Sequence, residues 1–565
     1  MNNNNNISPL KRLFYLLNQD KSEINKVYVY SILQGIIYLL IPLSVQKIIE
    51  FIQSGQITTS WIVLVALTSF GLILYSLMKV FQLRILENLK QKIFTRASFE
   101  FAFKIPRFKY DLIRNKYLPE HINRFFDVVT LQKVLPKILI DFTVAIVQLL
   151  FGLILLSFYH PFFILYDVLM LIFVYLIYRY FAKKGLEENL LVSKYKYRMA
   201  YWLQELGRVY LAFKYASNSN FNLINTDAIN KKYINSREKY FNTLLIQYSF
   251  FLLFNVITII GLLAVGGYLV INQKMNIGQF VAAEIIIILL LNSVEKIIFT
   301  LESAFDLFTS LEKISSVTDI PMDKDRGVNL KDTKAIKIEY HKLYYQYPNT
   351  TSFQLYEINT TINPNEIVGI YGSKNSGKTT FVNILSGLLT PTQGDILYNN
   401  YSVKEINPES LHKLIGYCSA ENLLFEGTIL DNITLGRENI KIEDVNTVVN
   451  KLNLSDFIEN CKNGLHTVIK PNINEVPYNI IVKILLARAT VINPRLLIID
   501  EIFDHIVPED INEIIAFLTD KSNPWTLVLV SKAPKMLSKA DKIIWLEKGE
   551  IKGEYKFDEL QKLIA

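Results

Sequence analysis

Gly372-Ser373-Lys374-Asn375-Ser376-Gly377-Lys378-Thr379-Thr380 is the stretch on which the reading of this chain turns. Before it, Glu366-Ile367-Val368-Gly369-Ile370-Tyr371 is an apolar run with the character of a buried strand; after it, Phe381-Val382-Asn383-Ile384-Leu385 opens a helix. Glycines at such a junction let successive backbone N–H groups curl around a phosphate at a helix N-terminus. In that geometry Lys378 reaches the β- and γ-phosphates and the Thr379 hydroxyl reaches Mg²⁺, while Ser373, Lys374, Asn375, Ser376 and Thr380 complete the loop. A chance Gly-Lys turn is the bland alternative, and the flanking strand and helix argue against it.

Composition divides the chain around this loop. Of 565 residues, 51% are hydrophobic, and the mean hydropathy is +0.23, too apolar for a wholly soluble protein. The apolar residues fill 27–301, whereas the part after about 335 has ordinary globular composition. A net charge of +8 could suggest nucleic acid, but the basic residues crowd into the joins between apolar stretches, so membrane topology accounts for them and no nucleic-acid partner is expected. Two cysteines, Cys418 and Cys461, lack metal-ligand spacing and suit a reducing compartment.

Six stretches are long enough to cross a hydrocarbon core of about 30 Å: 27–48, 60–82, 137–158, 161–181, 244–272 and 277–301. Joins one–two, three–four and five–six are short and nearly free of Lys and Arg, as in Tyr159-His160-Pro161. Joins two–three and four–five are long, helix-patterned and rich in Lys and Arg, which assigns them, the N-terminus and the second half to the cytoplasm. Stretches such as 84–103 keep the 3.6-residue pattern, so the spans are expected to continue as helices into water. The joins would reverse near 106–119 and 213–222, where contact with the soluble half is expected. Residues 1–7 form an Asn-rich tail, and 9–18 is either an interfacial basic helix or a solvated lead-in. Asp167 lies within span four. Glu284, Asn292 and Glu295 share an arc of about 80° on span six at 100° per residue; this stripe lines a path or is packing polarity.

Four segments follow in expectation: a tail and interfacial helix at 1–26, a membrane domain at 27–318, a charged linker at 319–334, and a phosphate-loop domain at 335–565. The fold class is an all-α six-helix transmembrane domain followed by an α/β nucleotide-binding domain with a helical subdomain between about 415 and 490. Tyr347 precedes the phosphate loop at a place where its ring could stack on adenine or simply fill the core. Arg495-Leu496-Leu497-Ile498-Ile499-Asp500-Glu501 reads as a buried strand ending in two carboxylates, Asp500 for the Mg²⁺ shell and Glu501 to orient or deprotonate the attacking water.

Six spans in this arrangement, a phosphate loop and an acidic strand resemble a half-size ABC exporter across nearly the whole chain. Within that family, Pro42-Leu43-Ser44-Val45-Gln46 and 93–106 are most similar to the peptide and type I secretion group. Residues 1–26 leave no room for an N-terminal peptidase domain, so no leader-cleaving role is expected. The resemblance implies ATP and Mg²⁺ as cofactors, Lys378 and Glu501 as the catalytic pair, and a multi-pass location in a bacterial-type inner membrane. It also implies a homodimer or heterodimer with a second half-transporter, because each ATP lies between the phosphate loop of one subunit and the signature loop of the other. It leaves the transported substrate open.

Four positions depart from the family. Ala420 stands where the glutamine that links metal and γ-phosphate to the membrane half belongs, with Glu421 beside it. Counting back from Ala487-Arg488-Ala489 places Val476-Pro477-Tyr478-Asn479-Ile480 on the signature loop, where Pro477 has neither hydroxyl nor N–H and Tyr478 is bulky. Lys532, after Ser531, replaces the histidine that contacts the γ-phosphate; it can bind phosphate but cannot share a proton at neutral pH. In Asp504-His505-Ile506-Val507, valine takes the aspartate's place. The expectation is ATP binding with weak or asymmetric hydrolysis, in an exporter subunit or alternatively in an ATP-gated regulator or a structural subunit of a secretion complex.

Overall fold

The computed structural model describes residues 9–55, 59–216, 219–324, 326–330, 336–348, 350–419, 423–470, 476–502 and 508–564. They fall into two compact units, Met1–Arg107 with Asn115–Ile320, and Phe108–Arg114 with Pro321–Ala565.

Among the described residues of the first unit, six helical stretches are long and apolar enough to cross a membrane: Lys21–Gln53, Thr59–Arg107, Leu118–Ser157, Phe162–Arg208, Phe221–Ile271 and Ile277–Thr318. The fifth has 51 residues, about 76 Å at 1.5 Å per residue, more than twice what a bilayer requires. The spans do continue as helices past their apolar windows, because the charged segments beyond them keep the same period. Half of the sixth span's apolar window is buried, against 6% for the second, so the sixth is the hub of this unit. Its Ala283, Ile286, Leu290 and Val294 are almost fully covered and belong to one core with Leu149, Leu153 and Leu156 of the third span.

Two spans are less regular than the apolar pattern indicates. The first breaks at Leu39, between helices Lys21–Tyr38 and Leu40–Ser54. Pro42 is the cause, since it has no N–H for the Tyr38 carbonyl and its ring crowds that oxygen. The third runs through Pro136 into a π-helical stretch, Lys137–Phe142, before resuming as Thr143–Ser157. Polar groups inside the unit find one another: Gln82 donates to the Val27 carbonyl (3.0 Å) and to Ser31 Oγ (2.8 Å), and Gln34 donates to Gln82 (2.8 Å). Ser157 donates to Asp167 at 2.6 Å. On the sixth span Asn292 is exposed and Glu284 half-buried, while Glu295 accepts from Tyr248 at 3.2 Å.

Among its described residues the second unit contains twelve strands: β1 (Ile338–Tyr345), β2 (Leu355–Ile362), β3 (Ile367–Gly372), β4 (Gln393–Tyr398), β5 (Tyr401–Ser402), β6 (Ile415–Ser419), β7 (Gly427–Thr428), β8 (Val468–Ile469), β9 (Leu496–Asp500), β10 (Thr526–Val530), β11 (Lys542–Glu547) and β12 (Glu550–Tyr555). Strands β2-β1-β4-β5 form an antiparallel sheet and β12-β11-β3-β10-β9-β6 the main sheet, parallel except for its β12 edge. Strands β9 and β10 are buried at every position, as a parallel sheet covered on both faces requires. Between β6 and β9 the chain is mostly helical, with Ile429–Thr434, Ile442–Lys451, Ser455–Glu459 and Tyr478–Thr490 packed into one core with the sheet.

Candidate functional site

Four segments that lie far apart in the chain meet at one edge of the main sheet. Val530 pairs with both Ile370 and Asp500, and Ser419 pairs with Asp500, so β3, β6, β9 and β10 end side by side. The carboxyl edge of a parallel sheet is where such folds bind ligands. The phosphate loop leaves β3 here, Asp500 and Glu501 end β9, and Ser531 and Lys532 follow β10. Ala420 and Glu421 directly follow β6 but lie outside the described residues, as does Asp504–Val507.

Within the loop, Asn375 has φ +64° and Gly377 φ +100°, the alternation that turns backbone amides inward to make an anion cradle. A Cβ on Gly377 would stand 2.8 Å from Leu355 Cδ2, and one on Gly372 would stand 2.3 Å from the Leu546 carbonyl oxygen. Gly377 caps the helix Lys378–Leu385. Lys378, 7% exposed, donates to the carbonyls of Gly372 (3.2 Å) and Ser373 (3.0 Å) and lies 3.4 Å from Glu501 Oε1. Its ammonium is thus folded back over the cradle. Ser376 is buried with its hydroxyl unpartnered, the state of a donor that a phosphate oxygen would satisfy. Ser373, Lys374, Asn375 and Thr379 are exposed, while Thr380 is buried.

Glu501 adopts φ +51°, a left-handed conformation that costs a residue with a side chain about 1–2 kcal/mol. Its amide donates to the Val530 carbonyl at 3.1 Å, which fixes the bend. The bend leaves the side chain half exposed beside Lys378, where strain commonly accompanies function. Asp500 is 7% exposed. Lys532 is exposed, and the neighbouring Ser531 hydroxyl accepts from the Ala533 amide at 3.0 Å.

Tyr347 is tied to the loop by a 2.8 Å hydrogen bond between its hydroxyl and that of Thr380. The Arg114 guanidinium lies 3.7 Å over its ring, so one face of the ring is already engaged by a cation. Asp111 accepts from the Tyr345 hydroxyl at 2.9 Å, and burial together with that bond raises the Tyr345 pKa. Arg114 and Asp111 carry no motif; the sequence pointed to their segment, 106–119, as a contact with the soluble half but not to these two residues.

The helix Tyr478–Thr490 begins at Pro477, whose φ of −55° and ψ of 142° serve as the N-cap without any side-chain hydrogen bond. Pro477 supplies a carbonyl to the Ile480 and Ile481 amides (3.0 and 3.1 Å), and Tyr478 is 47% exposed. Further along, Arg488 donates to the Asn432 carbonyl (2.7 Å), to Asn432 Oδ1 (3.0 Å) and to the Leu423 carbonyl (3.1 Å). Asn432, fully buried, also accepts from the Phe425 amide (3.1 Å) and donates to the carbonyls of Phe425 (3.0 Å) and Thr428 (3.1 Å). This hub joins the segment after β6 to the helix after Pro477. Of this hub the sequence analysis named only Arg488, within Ala487-Arg488-Ala489; the Thr428–Asp431 capping box that starts the helix of Asn432 is a signal it passed over.

Residues 355–504 match the ABC transporter family. Over almost its whole length the chain has the fold of a half-size ABC exporter. A solved bacterial Atm1-family ABC exporter with ATP bound superposes with a TM-score of 0.85 at 15% identity, covering 96% of this chain and 97% of that one. The alpha-hemolysin translocation ATP-binding protein HlyB of Escherichia coli O157:H7 is 27% identical over 286 residues, 51% of this chain and 40% of its own length. The ATP-dependent lipid A-core flippase of Syntrophus aciditrophicus (strain SB) is 27% identical over 298 residues, 52% of this chain and 49% of its own length. The chain thus aligns with less than half the length of these curated relatives. An ABC transporter domain is an ATP-binding domain, half-size chains of this fold generally dimerise, and six apolar helices indicate a multi-pass membrane protein.

Proposed function

We propose that this chain is one subunit of a dimeric ATP-dependent exporter in a bacterial-type inner membrane, with the nucleotide-binding half in the cytoplasm and hydrolysis weak or asymmetric. The observation that carries it is the convergence at the sheet edge: a glycine cradle with an unpartnered buried hydroxyl, Lys378 above it and Glu501 beside Lys378. In this reading residues 372–380 hold the phosphates, Tyr347 stacks on adenine, and Lys532 offers a point charge. The Thr379 hydroxyl and the Asp500 carboxylate would hold Mg²⁺. Bound Mg²⁺ would neutralise charge on the phosphates, and Glu501 orients the attacking water. The tail, membrane domain, linker and cassette at 1–26, 27–318, 319–334 and 335–565 belong to this reading.

Hydrolysis is weak because the element facing the partner's nucleotide is altered. Pro477 offers no side-chain or N–H donor, and the exposed Tyr478 is bulky where the reading needs close backbone approach to the partner's nucleotide. In a homodimer every site pairs an intact cradle with this altered loop. In a heterodimer, a partner with an intact signature loop completes the site over Lys378 and Glu501. The two relatives are named for translocation and for lipid flipping and the solved structure for export, and the likeness of fold over 96% of the chain supports carrying export over.

The test is ATP turnover by the purified chain in lipid, parent against Glu501→Gln, with nucleotide binding measured alongside. Binding without turnover above the variant supports the weak motor and directs the search to a partner subunit. Robust turnover lost in Glu501→Gln would refute the depressed hydrolysis, and absence of ATP binding would refute the nucleotide site itself.

A further inference from the structure

A cavity of about 850 Å³ lies within the first unit between the fourth and sixth spans. The π-helical stretch of the third span contributes Ile138 and Phe142 to its wall, and π-turns inside α-helices are frequent at functional sites. The lining is apolar apart from a few side chains. The charged ones are Arg179 and Lys183, one turn apart on the fourth span, and no carboxylate shares the wall with them. Both are exposed, and neither has an ion pair or hydrogen bond among the described residues.

Depth decides what such a wall can hold. The fourth span starts at Phe162, after a short join on the side opposite the basic joins. Counting 1.5 Å per residue from there, Leu171, on the wall, lies about 14 Å down the helix, Arg179 about 26 Å and Lys183 about 32 Å. A hydrocarbon core is about 30 Å thick. The apolar wall therefore begins near mid-membrane, and the two cations reach the cytoplasmic headgroup level, where long basic side chains snorkel to phosphate. A guanidinium fork beside an ammonium suits a phosphodiester, which a zwitterionic headgroup would screen with its own cation.

We propose that this cavity binds an anionic phospholipid from the cytoplasmic leaflet, acyl chains along the wall and phosphate between Arg179 and Lys183. The proposal rests on the membrane topology read above and is independent of the nucleotide chemistry. Charge complementarity at the right depth, with no competing carboxylate, selects a lipid of that leaflet over a peptide or a soluble anion.

The experiment offers the purified full chain equal amounts of phosphatidylglycerol and phosphatidylcholine with matched acyl chains and counts retained lipid by native mass spectrometry. Phosphatidylglycerol should be retained preferentially, and R179Q/K183Q should weaken it by about 25-fold, each cation near an anionic headgroup being worth about a factor of five, while phosphatidylcholine changes little. Leu301→Trp, which fills the wall without touching the cations, should lower retention of both lipids. Equal retention of the two lipids by the parent chain, or a double variant that behaves as the parent, would overturn the proposal. A photocrosslinker in place of Leu301 gives a second readout free of those variants: a lipid-sized adduct supports the site, and an adduct with a second copy of the chain overturns it. ATP binding by each preparation is recorded in parallel; its loss from the parent would sink the exporter reading and leave the lipid result standing.

Discussion

Replacing Asn432 by alanine should loosen the joint between the segment after β6 and the helix Tyr478–Thr490. The side chain accepts from the Phe425 amide, donates to two main-chain carbonyls, and accepts from the Arg488 guanidinium. A neutral hydrogen bond contributes about 1 kcal/mol net and a charged one about 1.5–3. The four together could reach about 5 kcal/mol, but Arg488 keeps its bonds to the Asn432 and Leu423 carbonyls and water can enter, so a loss of about 3 kcal/mol is expected. That is about a hundredfold in the local opening equilibrium. Hydrogen exchange of the full chain, read by mass spectrometry, should show peptides covering 423–434 exchanging about a hundredfold faster, while those of β9 and β10 stay protected. Arg488→Lys should give a smaller acceleration, since an ammonium cannot reproduce the fork. Unchanged exchange at 423–434 would refute the hub, and equal acceleration everywhere would show global rather than local loosening.

Gly377→Ala should abolish binding of a fluorescent ATP analogue, because φ +100° and a Cβ 2.8 Å from Leu355 Cδ2 force the cradle open; retained affinity would show that the loop can rebuild itself. Burial pushes the Cys418 thiol up to about 12, with Arg488 opposing. At pH 8 it is then almost wholly protonated, so maleimide should label the half-buried Cys461 first and Cys418 only on unfolding; labelling of native Cys418 at pH 8 would contradict the packing. Restoring a hydroxyl and a small residue with Pro477→Ser and Tyr478→Gly should raise ATP turnover by tenfold or more, given that one donor to a developing charge is worth about 10²–10³ in rate. No gain would place the deficit elsewhere, with Lys532 the next position to restore.

The loop, its lysine and the acidic strand were legible because their chemistry demands particular residues at close spacing: glycines for left-handed turns, a lysine at the helix start, carboxylates at a strand end. Six spans were legible for a similar reason, since length and apolarity alone decide whether a helix can cross a bilayer. The break at Leu39 was signalled by Pro42 but not drawn from it, and the π-helical stretch left only Pro136 as a trace. Asp111 and Arg114 lie in the reversal at 106–119 where contact with the soluble half was expected, but which of its residues make that contact could not be read. They are ordinary residues on a reversal between two long helices, and only folding lays them against Tyr345 and Tyr347.

By itself the sequence determined the two kinds of domain, the order in which they come and the glycine-rich loop between strand and helix, all of them local matters of residue type and period. The tertiary structure alone decided that β3, β6, β9 and β10 end together, that Glu501 bends back toward Lys378, that Asn432 ties two distant segments, and that Arg179 and Lys183 border an apolar cavity. Those are contacts between residues far apart in the chain, set by strand order and helix packing, and no local pattern encodes which distant partner a side chain will meet.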